Sequence, residues 1–117
     1  MTDSPRIYHN PRCSKSRATL SLLREQGIEP EIVEYLKAPP DRETLAGLIR
    51  RLGIRPRDLL RTGEAEYREL GLKDPALSDE QLIQAMVEHP KLIERPIVVH
   101  RGQARIGRPP ERVLEIL

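Results

Sequence analysis

Residues 6–17 read RIYHNPRCSKSR, and this stretch joins a short strand to a helix through a break. Its first four residues form a strand-like segment, and the Asn-Pro pair that follows interrupts the strand. A helix is predicted to begin near Cys13 or Ser14 and to run to about Gln26, with Gly27 as a typical stop. The only cysteine of the chain therefore lies between the end of a strand and the start of a helix.

Strand patterns elsewhere in the chain extend this unit. Residues 31–35, EIVEY, have a strand pattern, which predicts a second strand, parallel to the first and joined to it by a right-handed crossover. Residues 96–100 and 103–106 are predicted to pair as a hairpin around the Arg101-Gly102 turn. The expected strands are thus a parallel pair near the N-terminus and a hairpin near the C-terminus.

Helices are predicted for the middle of the chain. Asp41 is the expected N-cap of the first of them, and Gly53 is its expected stop. Its apolar residues recur every three or four positions and form one stripe: Leu45, Leu48, Ile49 and Leu52. Short helical pieces are expected at residues 56–60 and 64–70.

Two more helices complete the pattern. Residues 78–81 form a capping box, and Pro90 stops the helix that follows it. That helix has one predicted face: Leu82, Ala85, Met86 and His89. A last helix is expected from Pro109-Pro110 to Leu117, and its small apolar face is Val113, Leu114 and Leu117.

The predicted order of elements is β-α-β, a helical insertion, and β-β-α. This order is typical of an α/β fold with a thioredoxin-like, or glutaredoxin-like, core. We expect a single domain over residues 1–117, with the helical insertion at about residues 41–90.

Composition and charge limit the possible functions. The chain has 117 residues, and 20 Lys and Arg against 18 Asp and Glu leave a net charge of +2, which gives no reason to expect nucleic acid as a partner. No apolar run reaches the roughly 20 residues of a membrane helix, and the first residues lack a signal-peptide core. With one cysteine, an internal disulfide is impossible. We therefore expect a cytoplasmic protein that binds no membrane, and a monomer by default.

Cys13 is the candidate nucleophile. The free amides and the dipole of a helix N-terminus favour negative charge, and Arg12, Lys15 and Arg17 add positive charge nearby. Such settings lower the pKa of a cysteine, and the thiolate is its reactive form. The alternative is a buried cysteine that acts as a small apolar residue. The polar and basic residues 9–17 are, however, a poor place to bury a thiol.

Ser16 occupies the position of the second cysteine in a C-x-x-C motif. If Cys13 is catalytic, a dithiol mechanism is therefore excluded, and a covalent intermediate must be resolved by an external thiol such as glutathione. Ser14 and Ser16 can donate hydrogen bonds to a thiolate. They can equally be capping residues of the first helical turn, which is the commoner role of serine there.

Three arginines lie at predicted element boundaries: Arg61, Arg95 and Arg108. Side chains at such boundaries can converge on one pocket, and the guanidinium fork suits a tetrahedral oxyanion. Three of them would neutralise a phosphate-like anion beside a thiolate. For any single arginine a solvated surface position is commoner, and spacing alone does not select these three.

The motifs then form a recognisable series: HNPxC at residues 9–13 with Ser16-Arg17, LLR at 59–61, RPIVV at 95–99 and GRP at 107–109. In this order, over almost the whole chain, they resemble the arsenate reductase family that uses glutathione and glutaredoxin. That family has a thioredoxin-like core with a helical insertion, in agreement with the pattern above. The residues around Cys13 look more like a shorter, less characterised branch, and the chain stops at Leu117 where better-known members carry a longer tail.

The resemblance also implies roles for individual residues. Cys13 would be the nucleophile, and the three arginines would bind the oxyanion. His9 and Ser16 would support the thiolate. Without the resemblance, His9 is better explained as a strand-end residue that is hydrogen-bonded to the backbone. Pro96 corresponds to a position that is usually cis in thioredoxin-like folds, whereas only about 5–6% of X-Pro bonds in folded proteins are cis.

The function implied is reduction of arsenate, or a similar oxyanion, to arsenite through a covalent Cys13 adduct that glutathione and glutaredoxin resolve. No metal and no tightly bound cofactor is expected, and glutathione is a co-substrate. Two alternatives remain open. One is a redox-linked regulator that binds RNA polymerase, as in a related branch, although Ser16 argues against a dithiol switch. The other is a glutathione-dependent reductase of another substrate, for which arsenate is a mimic.

Overall fold

The computed structural model describes residues 4–117, which divide into two compact units. One unit joins the N-terminal part of the chain, up to Ala38, to Arg95–Leu117, and we call it the sheet unit. The other, Pro39–Glu94, is the helical unit. The sheet unit holds the four strands found in the described chain. The assignment of residues 1–117 to a single domain stays a prediction.

The described chain contains strands, α-helices and short 3-10 helices. The strands are β1 (Arg6–His9), β2 (Glu31–Glu34), β3 (Ile97–His100) and β4 (Gln103–Ile106). The α-helices are α1 (Ser14–Glu25), α2 (Arg42–Leu52), α3 (Ala65–Glu69) and α4 (Asp79–Glu88). The 3-10 helices lie at Pro56–Leu59, Pro90–Leu92 and Pro110–Ile116. Among the described residues, no helix has both the length and the apolar character that crossing a membrane requires.

The strands form one sheet in the order β2-β1-β3-β4. β1 pairs with β2 in parallel, as predicted, and with β3 in the antiparallel sense, while β3 and β4 form the antiparallel hairpin. β1 therefore lies inside the sheet. The loop that follows β1 carries Cys13. It therefore starts between the neighbouring strands β2 and β3.

The core of the sheet unit lies between the sheet, α1 and the last 3-10 helix. Its central cluster draws one or two residues from each of these elements: Ile7, Leu23, Val98, Val113 and Ile116. Each of these side chains is almost fully buried. Since burial of a large aliphatic side chain contributes roughly 1.5–3 kcal/mol, this packing fixes α1, and with it the start of the helix, against the sheet.

The last helix differs from the prediction. It is a 3-10 helix, and with three residues per turn Val113 and Ile116 lie on the same face, where both are buried. Leu114 and Leu117 were assigned to the apolar face but are 40% and 37% exposed. The prediction was wrong for these two residues because it assumed the spacing of an α-helix, about 3.6 residues per turn.

The helical unit follows its sequence signals closely. The amide of Thr44 donates to Asp41 Oδ1 at 2.8 Å, which confirms the N-cap of α2, and Gly53 ends that helix at φ +70°. The predicted capping box of α4 is also present. The amide of Gln81 donates to Ser78 Oγ at 3.2 Å, and the amide of Ser78 donates to Gln81 Oε1 at 2.8 Å.

The hairpin turn sets the positions of the segments that flank β3 and β4. Arg101 and Gly102 both have positive φ, 52° and 80°, as a two-residue type I′ turn requires. The resulting register pairs Ile97 with Ile106 at the open end of the hairpin. The segment before β3 and the segment after β4 therefore leave the sheet side by side.

Gly107 is closely enclosed in the segment that follows β4. A Cβ at this position would lie 2.5 Å from Thr19 Oγ1 and 2.9 Å from Pro96 Cγ. The Gly107 amide also donates to the Pro96 carbonyl at 2.9 Å. Only a residue without a side chain lets α1, the Pro96 segment and the Arg108 segment approach this closely.

We expect Gly107→Ala to lower the free energy of unfolding by about 1–3 kcal/mol, since Thr19 and Pro96 must move to admit the methyl group. Urea unfolding followed by circular dichroism measures the change. Gly63→Ala is the matched control because a Cβ there meets nothing within 4 Å. It should change the stability by less than about 0.5 kcal/mol. Equal effects of the two substitutions would contradict the packing argument.

Candidate active site

Cys13 is the N-cap residue of α1, with an extended backbone (φ −93°, ψ 123°). Its amide donates to the Asn10 carbonyl at 3.0 Å, and its carbonyl accepts from the Arg17 amide at 3.0 Å. The free thiol is partly exposed. Cys13 is therefore not a residue of the aliphatic core, and it occupies the helix start at which the sequence predicted it.

The surroundings of Cys13 favour its thiolate. Burial of the thiol raises its pKa, but hydrogen bonds from the backbone amides of Ser16 and Lys15 and from the Arg95 guanidinium outweigh burial, so the pKa lies below the ordinary cysteine value. The positive charge of Arg95 adds to this effect. A thiolate held in this way is a nucleophile at lower pH than a free cysteine.

Arg95 and Arg108 converge on this sulfur. Nη2 of Arg108 lies 3.7 Å from Cys13 Sγ, within hydrogen-bond range for sulfur, and Nε of Arg108 donates to the Arg95 carbonyl at 2.8 Å. Both arginines are partly buried. Two of the three predicted arginines therefore share one site with Cys13 in the sheet unit.

The prolines that follow these two arginines both have cis peptide bonds. The cis bond of Arg95-Pro96 confirms the expectation for Pro96. The cis bond of Arg108-Pro109 was not predicted. The Gly107 amide donates to the Pro96 carbonyl and so joins the two segments that carry these arginines. Backbone pairing therefore positions Arg95 and Arg108, in addition to their own side-chain contacts.

Arg61, the third predicted arginine, belongs to the helical unit. Its amide donates to the Leu92 carbonyl at 2.8 Å, next to a bridge between Leu60 and Ile93. Its Nη1 lies 3.7 Å from Glu94 Oε1, and this buried nitrogen makes no hydrogen bond with the described part of the chain. Glu94 thus compensates the charge of Arg61, but Nη1 of Arg61 remains a donor without a hydrogen bond to the described residues. A role for Arg61 in anion binding stays a prediction.

His9 and Ser16 form a buried pair next to the loop that carries Cys13. Nδ1 of His9 and Oγ of Ser16 share a hydrogen bond of 2.6 Å, and the Asn10 amide donates to the same Oγ at 3.0 Å. The Ser16 hydroxyl is therefore engaged by His9 and Asn10, while its backbone amide acts on the sulfur. His9 has a side-chain partner rather than the backbone partner considered above.

The charge of His9 follows from its burial. Burial lowers the pKa of His9, and the positive charges of Arg24 and Arg17 add to this, against an opposing effect of Glu34. The imidazole is accordingly neutral at pH 7. It serves as a hydrogen-bond partner and not as a further cation.

Asn10, predicted only as part of the break after β1, organises the loop that carries Cys13. The Arg12 amide donates to Asn10 Oδ1 at 3.0 Å, and the Asn10 carbonyl accepts from the Cys13 amide at 3.0 Å. The residue is buried, with 7% of its surface exposed. Asparagine commonly forms a turn in which its side chain accepts from the amide two residues later. The Asn-Pro pair in the sequence was therefore a signal for this turn.

These observations define the class of protein. A single cysteine with a lowered pKa at the start of α1, two guanidiniums beside it and a β2-β1-β3-β4 sheet describe a thioredoxin-like protein with a positively charged cysteine site. Residues 8–116 match the model of the ArsC family, and the chain belongs to that family. The thioredoxin-like fold predicted from the sequence is confirmed. Within residues 4–117, no three His, Cys, Asp or Glu side chains are grouped to hold a metal ion.

Individual relatives cover all or nearly all of the chain. The chain is 61% identical over 118 residues to the uncharacterized protein YfgD of Escherichia coli, covering 100% of this chain and 99% of YfgD. It is 48% identical over 113 residues to a protein of Neisseria meningitidis named arsenate reductase, covering 96% and 97% of the two chains. A solved structure described as arsenate reductase from Vibrio cholerae superimposes with a TM-score of 0.97 at 57% identity and covers 100% of both chains.

Replacing Arg95 should raise the pKa of Cys13, because Arg95→Gln removes a donor and a positive charge while burial of the thiol remains. The rate of alkylation by iodoacetamide as a function of pH measures this pKa, and the rate at neutral pH should fall. The control Arg6→Gln removes a guanidinium from the opposite end of β1, where it pairs with Glu31, and should leave the profile unchanged. Superimposable profiles for wild type and Arg95→Gln would contradict the assignment.

Proposed function

We propose that this protein reduces arsenate, or a similar tetrahedral oxyanion, with Cys13 as the nucleophile and an external thiol as the reductant. The observation that carries the proposal is the Arg108 guanidinium 3.7 Å from the Cys13 sulfur, on which Arg95 also acts. A thiolate beside two guanidiniums suits attack on the centre of a bound anion. The arsenate reductase names of the relatives support the choice of arsenate.

The first step is formation of a covalent adduct. The guanidiniums of Arg95 and Arg108 hold the oxyanion and neutralise its charge, which lets an anionic sulfur approach an anionic substrate. The Cys13 thiolate attacks arsenic, a sulfur–arsenic bond forms, and one arsenate oxygen leaves as water after protonation. The amides of Ser16 and Lys15 lower the pKa of Cys13 and so favour the thiolate that attacks.

The second step is reduction by glutathione. The glutathione thiol adds to arsenic in the adduct, and a second oxygen leaves as water. Formation of a bond between the two sulfurs then leaves an electron pair on arsenic, while addition of water to arsenic releases arsenite. The net change is one arsenate and two thiols converted into arsenite, water and a Cys13–glutathione disulfide.

An external thiol must then regenerate Cys13, because the chain has no other cysteine. In the proposal, glutaredoxin attacks the glutathione sulfur of the mixed disulfide and releases the Cys13 thiolate. Glutathione-dependent turnover requires a reducing compartment, so the proposal includes a cytoplasmic location. A reductase of a different oxyanion would use the same residues and the same steps.

We expect Cys13→Ser to abolish arsenate reduction in an assay containing glutathione, glutaredoxin and a coupled glutathione reductase, because serine cannot form the disulfide. Wild type quenched before glutaredoxin is added should show one glutathione bound to Cys13 by intact-mass spectrometry. Unchanged turnover by Cys13→Ser would defeat the proposal. If the wild type turns over without this mass adduct, Cys13 keeps its proposed role as the nucleophile. Glutathione is then excluded as the thiol that resolves the Cys13 adduct.

Arg61 is the third anion ligand that the family resemblance adds to this proposal. Arg61→Gln should raise the KM for arsenate by roughly 10-fold or more, the effect of one lost charge-assisted hydrogen bond. Arg61→Lys should recover part of the affinity for arsenate, because lysine keeps the positive charge but lacks the paired donors of the guanidinium. The exposed Arg51→Gln serves as the control, and thermal melting of each variant reports any effect of removing the Arg61–Glu94 ion pair on stability. Equal KM values for Arg61→Gln and the control would remove Arg61 from the site.

A further inference from the structure

A cleft of about 210 Å³ lies in the sheet unit beside the loop that carries Cys13. Its lining comes from the segment directly before Cys13 and from the end of β2 with the residues after it: His9, Asn10, Pro11, Arg12, Glu34, Leu36 and Lys37. Arg12 adjoins Cys13 in sequence, so their Cα atoms are about 3.8 Å apart. The cleft thus borders the residue directly before Cys13, and its lining includes neither Cys13 nor the two arginines that act on its sulfur.

The cleft presents charges of both signs. Arg12 and Lys37 are exposed cations, and Glu34 is a partly exposed carboxylate. Lys37 Nζ lies 3.6 Å from Glu34 Oε1 in an ion pair whose side chains are 81% and 42% exposed. Such a pair contributes little to stability, so a ligand can replace either partner at small cost. His9 adds no charge, because burial lowers its pKa.

The volume limits what the cleft can hold. At about 210 Å³ it is smaller than the pockets of roughly 300 Å³ and above that enclose drug-sized ligands. It therefore suits a group of amino-acid size rather than a whole tripeptide. A zwitterionic amino-acid group would match its two cations and one carboxylate.

We propose that this cleft binds the γ-glutamyl end of glutathione, an inference that rests on the function proposed above. That end carries an α-carboxylate and an α-ammonium group, whereas the glycyl end carries a carboxylate alone. Arg12 and Lys37 hold the carboxylate, and Glu34 holds the ammonium group. The cysteinyl residue is adjacent to the γ-glutamyl residue in the tripeptide, so its sulfur is presented toward Cys13.

Thiol–disulfide exchange tests the cleft without arsenate. The Cys13 thiolate attacks one sulfur of glutathione disulfide, the new Cys13–glutathione disulfide forms, and one glutathione thiolate leaves. Stopped samples analysed by intact-mass spectrometry give the rate. The disulfides of γ-glutamylcysteine and of cysteinylglycine each lack one end of glutathione, and hydroxyethyl disulfide lacks both.

We expect the wild type to react with glutathione disulfide and γ-glutamylcysteine disulfide at similar rates, and more slowly with the other two. Arg12→Ala and Lys37→Ala should each slow the reaction with glutathione disulfide about threefold, and together about tenfold, as expected for exposed ion pairs. Glu34→Gln should slow it similarly. The rate with hydroxyethyl disulfide measures the reactivity of Cys13 itself in each variant, and each of these decreases is taken relative to that rate.

The control Arg6→Ala/Lys91→Ala removes two positive charges from residues outside the cleft lining. If this control loses the preference for glutathione disulfide as strongly as Arg12→Ala/Lys37→Ala does, net charge alone explains the effect. That result would overturn the proposal. A wild type that prefers cysteinylglycine disulfide, or that shows no preference, would overturn it as well. If Cys13 shows the preference but arsenate is not reduced, the proposed function fails and the cleft assignment stands.

Discussion

A negative charge on a partly buried sulfur is the constraint on which the rest of the site depends. Removal of a charge from water is costly unless donors replace the lost solvent. Here the donors come from the first turn of α1 and from the arginine before β3, with the arginine after β4 also in contact. The central position of β1 and the hairpin register bring these distant segments together. Without them, burial alone would raise the pKa of Cys13 and leave an inert thiol.

Much of the fold could be predicted from the sequence, because its signals are local. The cap at Asp41, the capping box at Ser78 and the Arg101-Gly102 turn each depend on a few neighbouring residues, and each is present as expected. The last helix was harder. Leu114 and Ile116 are equally apolar, and only packing against the sheet and α1 selects the 3-10 form that buries one and exposes the other.

The candidate site could be predicted in part. The helix start and the basic residues around it indicated Cys13, whereas the arginines were selected by resemblance, because spacing along the chain does not encode which boundaries meet. The Ser16 hydroxyl was expected near the thiolate, yet it is engaged by His9 and Asn10. Side-chain direction within a first helical turn depends on the loop before it. The Asn-Pro pair signalled the turn in that loop, but not that the Asn10 amide donates to the Ser16 hydroxyl.

Cys13 stands where helices usually place serine, threonine, aspartate or asparagine, whose oxygens accept from the first free amides. The amides of Ser16 and Lys15 in this first turn lower the pKa of Cys13 and so favour its thiolate. In a neutral mixed disulfide the sulfur carries no negative charge. The free amides at the start of α1 then lack the anion that they favour. Departure of the thiolate restores it, which makes Cys13 a good leaving group as well as a good nucleophile. The helix start therefore favours the thiolate of Cys13 over its disulfides in exchange with an external thiol.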